Sequence, residues 1–598
     1  MSVLVLLRMF DFDESLLLEG ISSSPLVNSV TPLHPKKLSE PWAKGRSICR
    51  GFQLEVTVSG APTILYFCID KSFPVSIPVL FLTPWDVFGI VPHVETDGFI
   101  CYAQEEGILL DSENIIGLAQ EAITRAVSVV ECGIAGTNHQ DFLDEFGVYW
   151  GRTTNIRTAM SLVSPSIAIK EVSLYKQVTS PHGKGKSNSR KNRSPKKVVH
   201  WYLYDDLASL NQYFHFTPDH APKSSKVLFI PLQPGRVIVP PHPATFWDLA
   251  EVRRIVFNNL SDHQKLELAP FLSSSTPEEM IILSIPRISG GETLIGIRFS
   301  GIKKYRPHPL HQEGEAAEIS PFSLTRRDRE YLLPRGGSNL ALAQKRVLLL
   351  GCGALGGYIA AELTRAGVLQ LTVLDEDTLA ADNYFRHLLG RKHLGKPKVI
   401  ALKEDIEGRL PYVEVTALHC SLEEALERHQ IQPGEFDLII SALGNPTVEL
   451  AFNNWHQALQ SAAPALFTWL EPYGIGGHAV LTKFRSACLK CLYPKPADED
   501  IFCRASFAGK NQKFAKNISG CRNVFTPFGS LDAMKTAELA TRLAIGTLTG
   551  SVSAPIMLSW KGDATEFLNN GFTLSPRYGS DMLEIENFHY PECPICHE

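Results

Sequence analysis

Between residues 50 and 102 apolar and polar side chains alternate in short blocks, FQLEVTVSG, TILYFCID and SIPVLFLT, a period of two that predicts a meander of half-buried strands. Apolar residues then recur with helical spacing from about Asn114 to Glu131, so the first 150 residues read as an α+β domain. From Val198 to about Ser320 the pattern is mixed. KVLFIPL, MIILSIP and TLIGIRF are strand candidates and FWDLAEVRRIVFNNL is a helix candidate, which makes 151–320 a separate central domain whose role the pattern does not reveal. After it, RVLLL (346–350) runs into glycines, YIAAELTRAG (358–367) is amphipathic, and LTVLD (371–375) is a second apolar run. Strand, turn, helix and strand at this spacing predict a βαβ unit of a parallel sheet, in a third domain over 321–598. The fold class expected is therefore α/β and α+β in several domains, the last one Rossmann-like.

The 598 residues allow three to five domains at ~100–200 residues each. With 44% hydrophobic and 20% charged residues the composition is that of a globular chain, and it excludes bulk disorder or a fibrous repeat. A net charge of −5 argues against a surface built for nucleic acid or anionic membrane. The local exception is PHGKGKSNSRKNRSPKK (181–197), basic throughout and without core-forming residues, which predicts a mobile solvated loop and leaves an acidic partner or nucleic acid as its other use. No run reaches the roughly 18–20 apolar residues of a membrane helix, and MSVLVLLRMF passes directly into FDFDE without a cleavage site, so a cytoplasmic protein is expected. Twelve cysteines are too few for a disulfide scaffold; in a reducing compartment they are packing residues, metal ligands or nucleophiles.

The glycine turn reads Gly351-Cys352-Gly353-Ala354-Leu355-Gly356-Gly357, and Asp375 ends the next strand 22 residues after Gly353. A helix opening on such a turn offers free N–H groups and the positive end of its dipole to phosphates, and a carboxylate at Asp375 can accept ribose hydroxyls. A dinucleotide dehydrogenase would share these features. Asn383, Arg386, Lys396 and Lys398 further on form a cationic set that suits a triphosphate better than hydride transfer.

The stretch GCGALGGYIAAELTRAGVLQLTVLDEDTLAADNYFRHLLGRKHLGKPKV resembles the adenylation domain of the ThiF/MoeB and ubiquitin-activating enzymes over about residues 320–598. That resemblance implies that Gly351, Gly353 and Gly356 line the phosphates of ATP, that Asp375 binds ribose, and that Asn383, Arg386 and Lys398 contact the nucleotide. It also implies a twofold dimer in which an arginine ahead of the first strand, here Arg327 in TRRDRE, reaches the partner's phosphates. The family's magnesium-binding aspartate is replaced by Gly444 and Asn445 in LIISALGNP, which leaves Mg2+ to Asp377 or to water.

Cys488-x-x-Cys491 and Cys593-x-x-Cys596 repeat one spacing and supply four thiolates, the donor set of tetrahedral structural Zn2+. Cys521 follows a polar stretch (495–520) poor in packing residues and precedes a Pro-Phe-Gly turn and a long amphipathic helix. Arg522 and Lys516 near it favour the thiolate. The segment resembles the one carrying the thioester-forming cysteine of ThiF-like activators; Cys503 is its rival. Cys101 ends Pro92-His93-Val94-Glu95-Thr96-Asp97-Gly98-Phe99-Ile100-Cys101, a frame that resembles the active site of ubiquitin-conjugating enzymes over residues 40–150, with His93-Val94-Glu95 where that family has histidine-proline-asparagine. Cys49, Cys68, Cys132, Cys352 and Cys420 read as packing residues, and the histidines of HPLHQ and PPHPATF as loop residues.

A conjugating-like domain joined to an activating domain resembles the fusion proteins of bacterial CBASS antiphage operons. The resemblance implies ATP-dependent activation of a protein C-terminal carboxylate, belonging to a cGAS/DncV-like nucleotidyltransferase, followed by a thioester on Cys521, transfer to Cys101 and conjugation to an amine. Two other readings stay open: an adenylyltransferase without a relay, with residues 1–150 as a docking module, and a scaffold without catalysis.

Overall fold

The computed structural model describes residues 12–104, 107–153, 156–179, 198–214, 224–428, 430–459, 463–494, 501–517 and 524–596. The basic segment 181–197 and Cys521 lie outside the described residues. The chain divides into two compact units, 1–205 with 222–327, and 206–221 with 328–598.

The first unit opens with a helix, Glu14–Ser22, and an antiparallel meander of four strands, Val27–Pro32, Ile48–Val58, Ala61–Asp70 and Val79–Thr83. Alternation along the second strand buries Leu54, Val56 and Val58 on one face, where the helix Ile115–Ala135 covers them. That helix starts where the Asn114 side chain accepts the Gly117 N–H at 2.9 Å and stops at Gly136 in the left-handed region (φ 76°). The two helices cross closely at Gly20, where a Cβ would lie 2.8 Å from Ile116 Cα.

A closed barrel completes this unit, with neighbouring strands in the order Glu292–Ser300, Glu318–Arg326, Arg157–Ser161, Val198–Tyr204, Lys170–Thr179, Ser224–Pro231 and Glu278–Pro286. Its strands bury both faces. Ile281, Leu283, Ile295 and Ile297 pack with helices Asp141–Gly151 and Leu249–Asn258, whereas Val227, Phe229, Met280, Ile282, Leu294 and Phe322 form a second cluster. Double burial explains why KVLFIPL and MIILSIP are continuous apolar runs rather than alternating ones. The division of the sequence at 150/151 and 320/321 cuts through this packing: Phe146 and Trp150 belong to the barrel's core, and Glu318–Arg326 is one of its strands.

The second unit is built on a sheet of eight strands in the order Glu414–Leu418, Gln370–Leu374, Arg346–Leu350, Leu438–Ser441, Ala465–Leu470, Gly476–Thr482, Ile556–Lys561 and Glu584–Glu586. The first five are parallel, as the βαβ pattern predicts, and the last three are antiparallel additions. Two separate apolar clusters cover its faces, one of them centred on helices Ala354–Ala366 and Ser530–Thr549. The strand order reverses between Arg346–Leu350 and Leu438–Ser441, which opens a crevice at the carboxyl ends of these strands.

Candidate active sites

In that crevice lies a cavity of about 280 Å³ lined by Gly351, Gly353, Asp375, Asp377, Lys398 and Asn445, with Cys420 to Glu423 on one wall. Gly351 has φ 88°, and a Cβ there would lie 2.6 Å from the Ala442 carbonyl, so only glycine fits the turn. Gly353 caps helix Ala354–Ala366 without a side-chain bond and has open space where a Cβ would stand, which leaves the first N–H groups of the helix available to an anion. Gly356 has another task. A Cβ there would lie 1.9 Å from the Gly351 carbonyl, so it lets the helix pack against its own turn.

Asp375 Oδ2 accepts the Cys352 N–H at 2.7 Å and Oδ1 accepts the Asp377 N–H at 2.8 Å. Lys398 Nζ is 2.6 Å from Asp377 Oδ2 and 4.0 Å from Asp375 Oδ1. Its side chain is only 10% exposed, which aims the ammonium at the cavity instead of bulk water. A helix N-terminus, a carboxylate at the strand end and a sequestered ammonium are the donors and acceptors that ATP requires. Asp377, two-thirds exposed, and Glu423 are carboxylates on the wall that could hold Mg2+. Asn445 spends its side-chain oxygen capping Thr447 and Val448.

Asn383 and Arg386 are not among the residues lining this cavity. Asn383 Oδ1 accepts the Ala380 N–H at 3.2 Å, and the Arg386 guanidinium lies 5.2 Å from the centre of the Phe528 ring. Arg327 follows the last barrel strand. Its N–H donates to the Ser161 carbonyl at 2.8 Å, and its side chain is exposed.

At the other candidate site Cys101 is half-buried, and its N–H donates to the His93 carbonyl at 2.8 Å. The Val94–Ile100 bridge closes the turn between them, with Gly98 at φ 91° where a Cβ would strike the Leu82 carbonyl. Glu95 occupies the asparagine position, and its carboxylate is held by Arg46 and Arg152, each at 2.7 Å.

The four C-terminal-region cysteines come together as expected. Cys488 and Cys593 Sγ are 3.7 Å apart, Cys491 and Cys596 Sγ 3.4 Å, and all four buried sulfurs lie within 4.8 Å of one another. A tetrahedron of thiolates at ~2.3 Å from Zn2+ has edges of about 3.8 Å, so the cluster fits a structural zinc. Cys521 lies outside the described residues; Lys516 pairs antiparallel with Phe525 and Asn517 with Val524.

Residues 31–158 match the family model described as Prokaryotic E2 family B, and residues 329–573 match that of the ThiF family. The chain joins a prokaryotic E2 family B domain to a ThiF family domain. A chain built this way is an enzyme of the ubiquitin-like activating and conjugating class. It is 23% identical over 548 residues to the ATP-dependent ubiquitin transferase-like protein Cap2 of Pseudomonas aeruginosa, covering 86% of this chain and 87% of that one. A protein of the same description from Escherichia coli is 22% identical over 552 residues, covering 85% and 86%. One from Vibrio cholerae is 28% identical over 280 residues, covering 43% and 46%.

Within the ThiF domain several expectations need correction. Cys503 is less suited to nucleophilic attack than the sequence suggests: burial pushes its thiol up to about 12, and it lies against Tyr493. The described part of the stretch 495–520, residues 501–517, is not poor in packing. Phe507 is fully buried, its N–H and the Ser506 hydroxyl donate to the two oxygens of buried Glu471, and Glu471 in turn meets His478 Nε2 at 3.1 Å. Outside that domain, Cys49 is exposed rather than packed, while His308 of HPLHQ is 3% exposed, with burial lowering its pKa to about 4. His242 of PPHPATF stacks on Trp85, ring centres 5.1 Å apart.

Two features of the sites depend on tertiary packing that the sequence does not show. Glu449 is buried beneath the 441–445 turn, and His93 is clasped by two carboxylates 48 and 52 residues away. No local motif marks Glu449, and the motif that contains His93 does not reveal the carboxylates that clasp it.

Proposed function

We propose that the ThiF domain adenylates the C-terminal carboxylate of a protein and that the E2 domain completes its conjugation. The carboxylate oxygen attacks the α-phosphorus of ATP and pyrophosphate leaves. The Cys521 thiolate attacks the acyl carbon and AMP leaves; the Cys101 thiolate takes the acyl group from Cys521; an amine then attacks, its proton is lost and the Cys101 thiolate is released. Adenylation is needed because a carboxylate has no adequate leaving group of its own. Gly351, Gly353, Asp375 and Lys398 bind ATP in this reading, Asn383 and Arg386 close on it, Asp377 holds Mg2+, and Zn2+ bound by Cys488, Cys491, Cys593 and Cys596 fixes the end of the domain.

The observation that carries the reading is the presence in one chain of two sites with complementary chemistry: a phosphate-binding turn with its carboxylate and ammonium, and a cysteine presented on an E2-type turn. The named relatives, described as ATP-dependent and ubiquitin transferase-like, support it. The activated partner in this proposal is a cGAS/DncV-like nucleotidyltransferase with a flexible C-terminus, in cytoplasmic CBASS antiphage defence. The enzyme acts as a homodimer in which Arg327 reaches the phosphates of the second subunit. Among the described residues no helix is long and apolar enough to cross a membrane.

The test is incubation of the full chain with ATP, Mg2+ and the nucleotidyltransferase. ATP–pyrophosphate exchange together with reducible adducts at two cysteines is the expected result. Exchange without adducts would reduce the protein to an adenylyltransferase, and neither would make it a scaffold.

A further inference from the structure

His93 is the point at which the E2 domain is tied to the barrel that follows it. Its backbone sits at φ 65°, in the left-handed region that a side chain larger than hydrogen seldom occupies unless its surroundings hold it there. The surroundings do so from all sides. Its N–H donates to Glu145 Oε2 at 3.3 Å, its Nδ1 is 2.7 Å from Glu145 Oε1, and its Nε2 is 2.9 Å from Asp141 Oδ2. Its carbonyl accepts the Cys101 N–H.

Asp141 and Glu145 are one turn apart on helix Asp141–Gly151, which lies within the residues of the E2 match and packs its other face on the barrel. Phe146 and Trp150 lie in the barrel core, Trp150 Nε1 donates to the Phe322 carbonyl at 2.8 Å, and Asp144 accepts the Ser289 N–H at 3.1 Å. The same helix sends Tyr149 to the Val91 carbonyl and to Glu145, both at 3.4 Å, and Arg152 beyond its end grips Glu95.

We propose that Asp141 and Glu145 are positioning residues for Cys101: by gripping both ring nitrogens of His93 they fix the 93–101 turn, so that the barrel sets the geometry of the conjugating cysteine. The proposal rests on the reading of Cys101 as the acyl-carrying residue and assigns to the central domain the task of holding that residue in register.

The two contacts require a proton on each ring nitrogen, and the groups facing the ring supply the reason for one. Glu145 and then Asp141 raise the His93 pKa to about 9 against the opposing effect of burial, with Tyr149, Glu95 and Arg152 as the other ionisable neighbours. The sign follows from a raised histidine pKa. The clasp is fully present below the unfolded value of ~6.5, persists through neutral pH, and is lost as pH rises through about 9.

The experiment uses the full chain and iodoacetamide as the probe of the Cys101 thiol, so no partner protein is needed. Residue-resolved imidazole C2–H exchange gives the His93 midpoint, amide exchange reads the Cys101 N–H, and the alkylation rate of Cys101 is followed from pH 6 to 10. Expected for the wild type are a His93 midpoint near 9 and a loss of Cys101 amide protection across that midpoint, beyond the intrinsic increase with pH. In Asp141→Asn/Glu145→Gln the midpoint falls by about a unit or more, amide exchange at Cys101 accelerates about tenfold, and the Cys101 alkylation profile shifts with it. Glu145→Asp retains most of the protection, and ATP–pyrophosphate exchange is unchanged in all variants.

A wild-type His93 midpoint near 6.5 would overturn the proposal without recourse to any variant. So would a lowered midpoint in the variants with Cys101 exchange and alkylation as in the wild type. Failure of Cys101 to form a thioester would instead sink the proposed function and leave these readouts standing.

Discussion

Asp375 holds the glycine turn by its backbone: one carboxylate oxygen accepts the Cys352 N–H at 2.7 Å while the other accepts the Asp377 N–H at 2.8 Å. The strand end and the phosphate turn are therefore one rigid piece before any nucleotide arrives, and ribose hydroxyls must use the lone pairs that remain. Asp375→Ala removes both charge-assisted bonds and should lower stability by about 2 kcal/mol as well as suppress ATP–pyrophosphate exchange. Asp375→Asn keeps one acceptor. It should recover most of the stability while exchange stays about 100-fold down, equivalent to ~2.7 kcal/mol. Exchange at the wild-type rate in both variants would place nucleotide binding elsewhere.

The pairing of Cys488 with Cys593 and of Cys491 with Cys596 joins segments 105 residues apart, so metal bound there closes a long loop. Freshly purified protein should carry about one Zn2+ per chain. Cys593→Ser should lose the metal and lower Tm by ~5 °C or more. Elemental analysis without zinc would remove the metal from the account.

The sites that a sequence can announce are those built from contiguous residues. The turn 351–357 with Asp375 and the two Cys-x-x-Cys clips carry their expected chemistry in spacing; Gly351, Gly353 and Asp375 line one cavity and the four cysteines cluster. The barrel was not legible because strands buried on both faces lose the period of two, and because its parallel neighbours Arg157–Ser161 and Glu318–Arg326 are far apart in the chain. Helix Asp141–Gly151 lies within the E2 match and also packs on the barrel, which the sequence does not show because its pattern gives an apolar face but not which core receives it. For Gly356 the sequence cannot say that its missing Cβ also makes room for the Gly351 carbonyl.

Glu449 lies beneath the 441–445 turn. It is 4% exposed, accepts the Ser441 hydroxyl at 2.8 Å and backbone N–H groups of Leu443 and Gly444, and burial raises its pKa to about 7 despite these bonds. A raised carboxyl pKa means that the folded state keeps its proton after the unfolded chain has lost its own. The stability of the ThiF domain should therefore fall as pH rises from the unfolded value near 4.5 and level off above about 7. Glu449→Gln should flatten that fall, a difference of a few kcal/mol between pH 5 and 8. Melting curves that shift in parallel for both proteins would show that this carboxyl does not control the turn.

Transfer between two cysteines fixes the order of events, because thioester exchange is nearly isoenergetic and is drawn forward only by consumption of acyl-adenylate upstream and aminolysis downstream. Cys521→Ala should abolish adducts at both cysteines and spare pyrophosphate exchange. Cys101→Ala should leave the Cys521 adduct visible on a non-reducing gel while blocking the final conjugate. Mixing the two single variants then asks a geometric question. Conjugate recovered in the mixture would mean that the acyl group passes between chains, and none would mean that each chain serves its own Cys101. Cys503, its thiol pushed up to about 12 beside Tyr493, is a poor substitute in the first variant, and a Cys503→Ala/Cys521→Ala protein removes it from the test. A Cys503→Ala/Cys521→Ala protein that still charged Cys101 would therefore leave direct transfer from acyl-adenylate as the remaining route, and the ordered relay would be wrong.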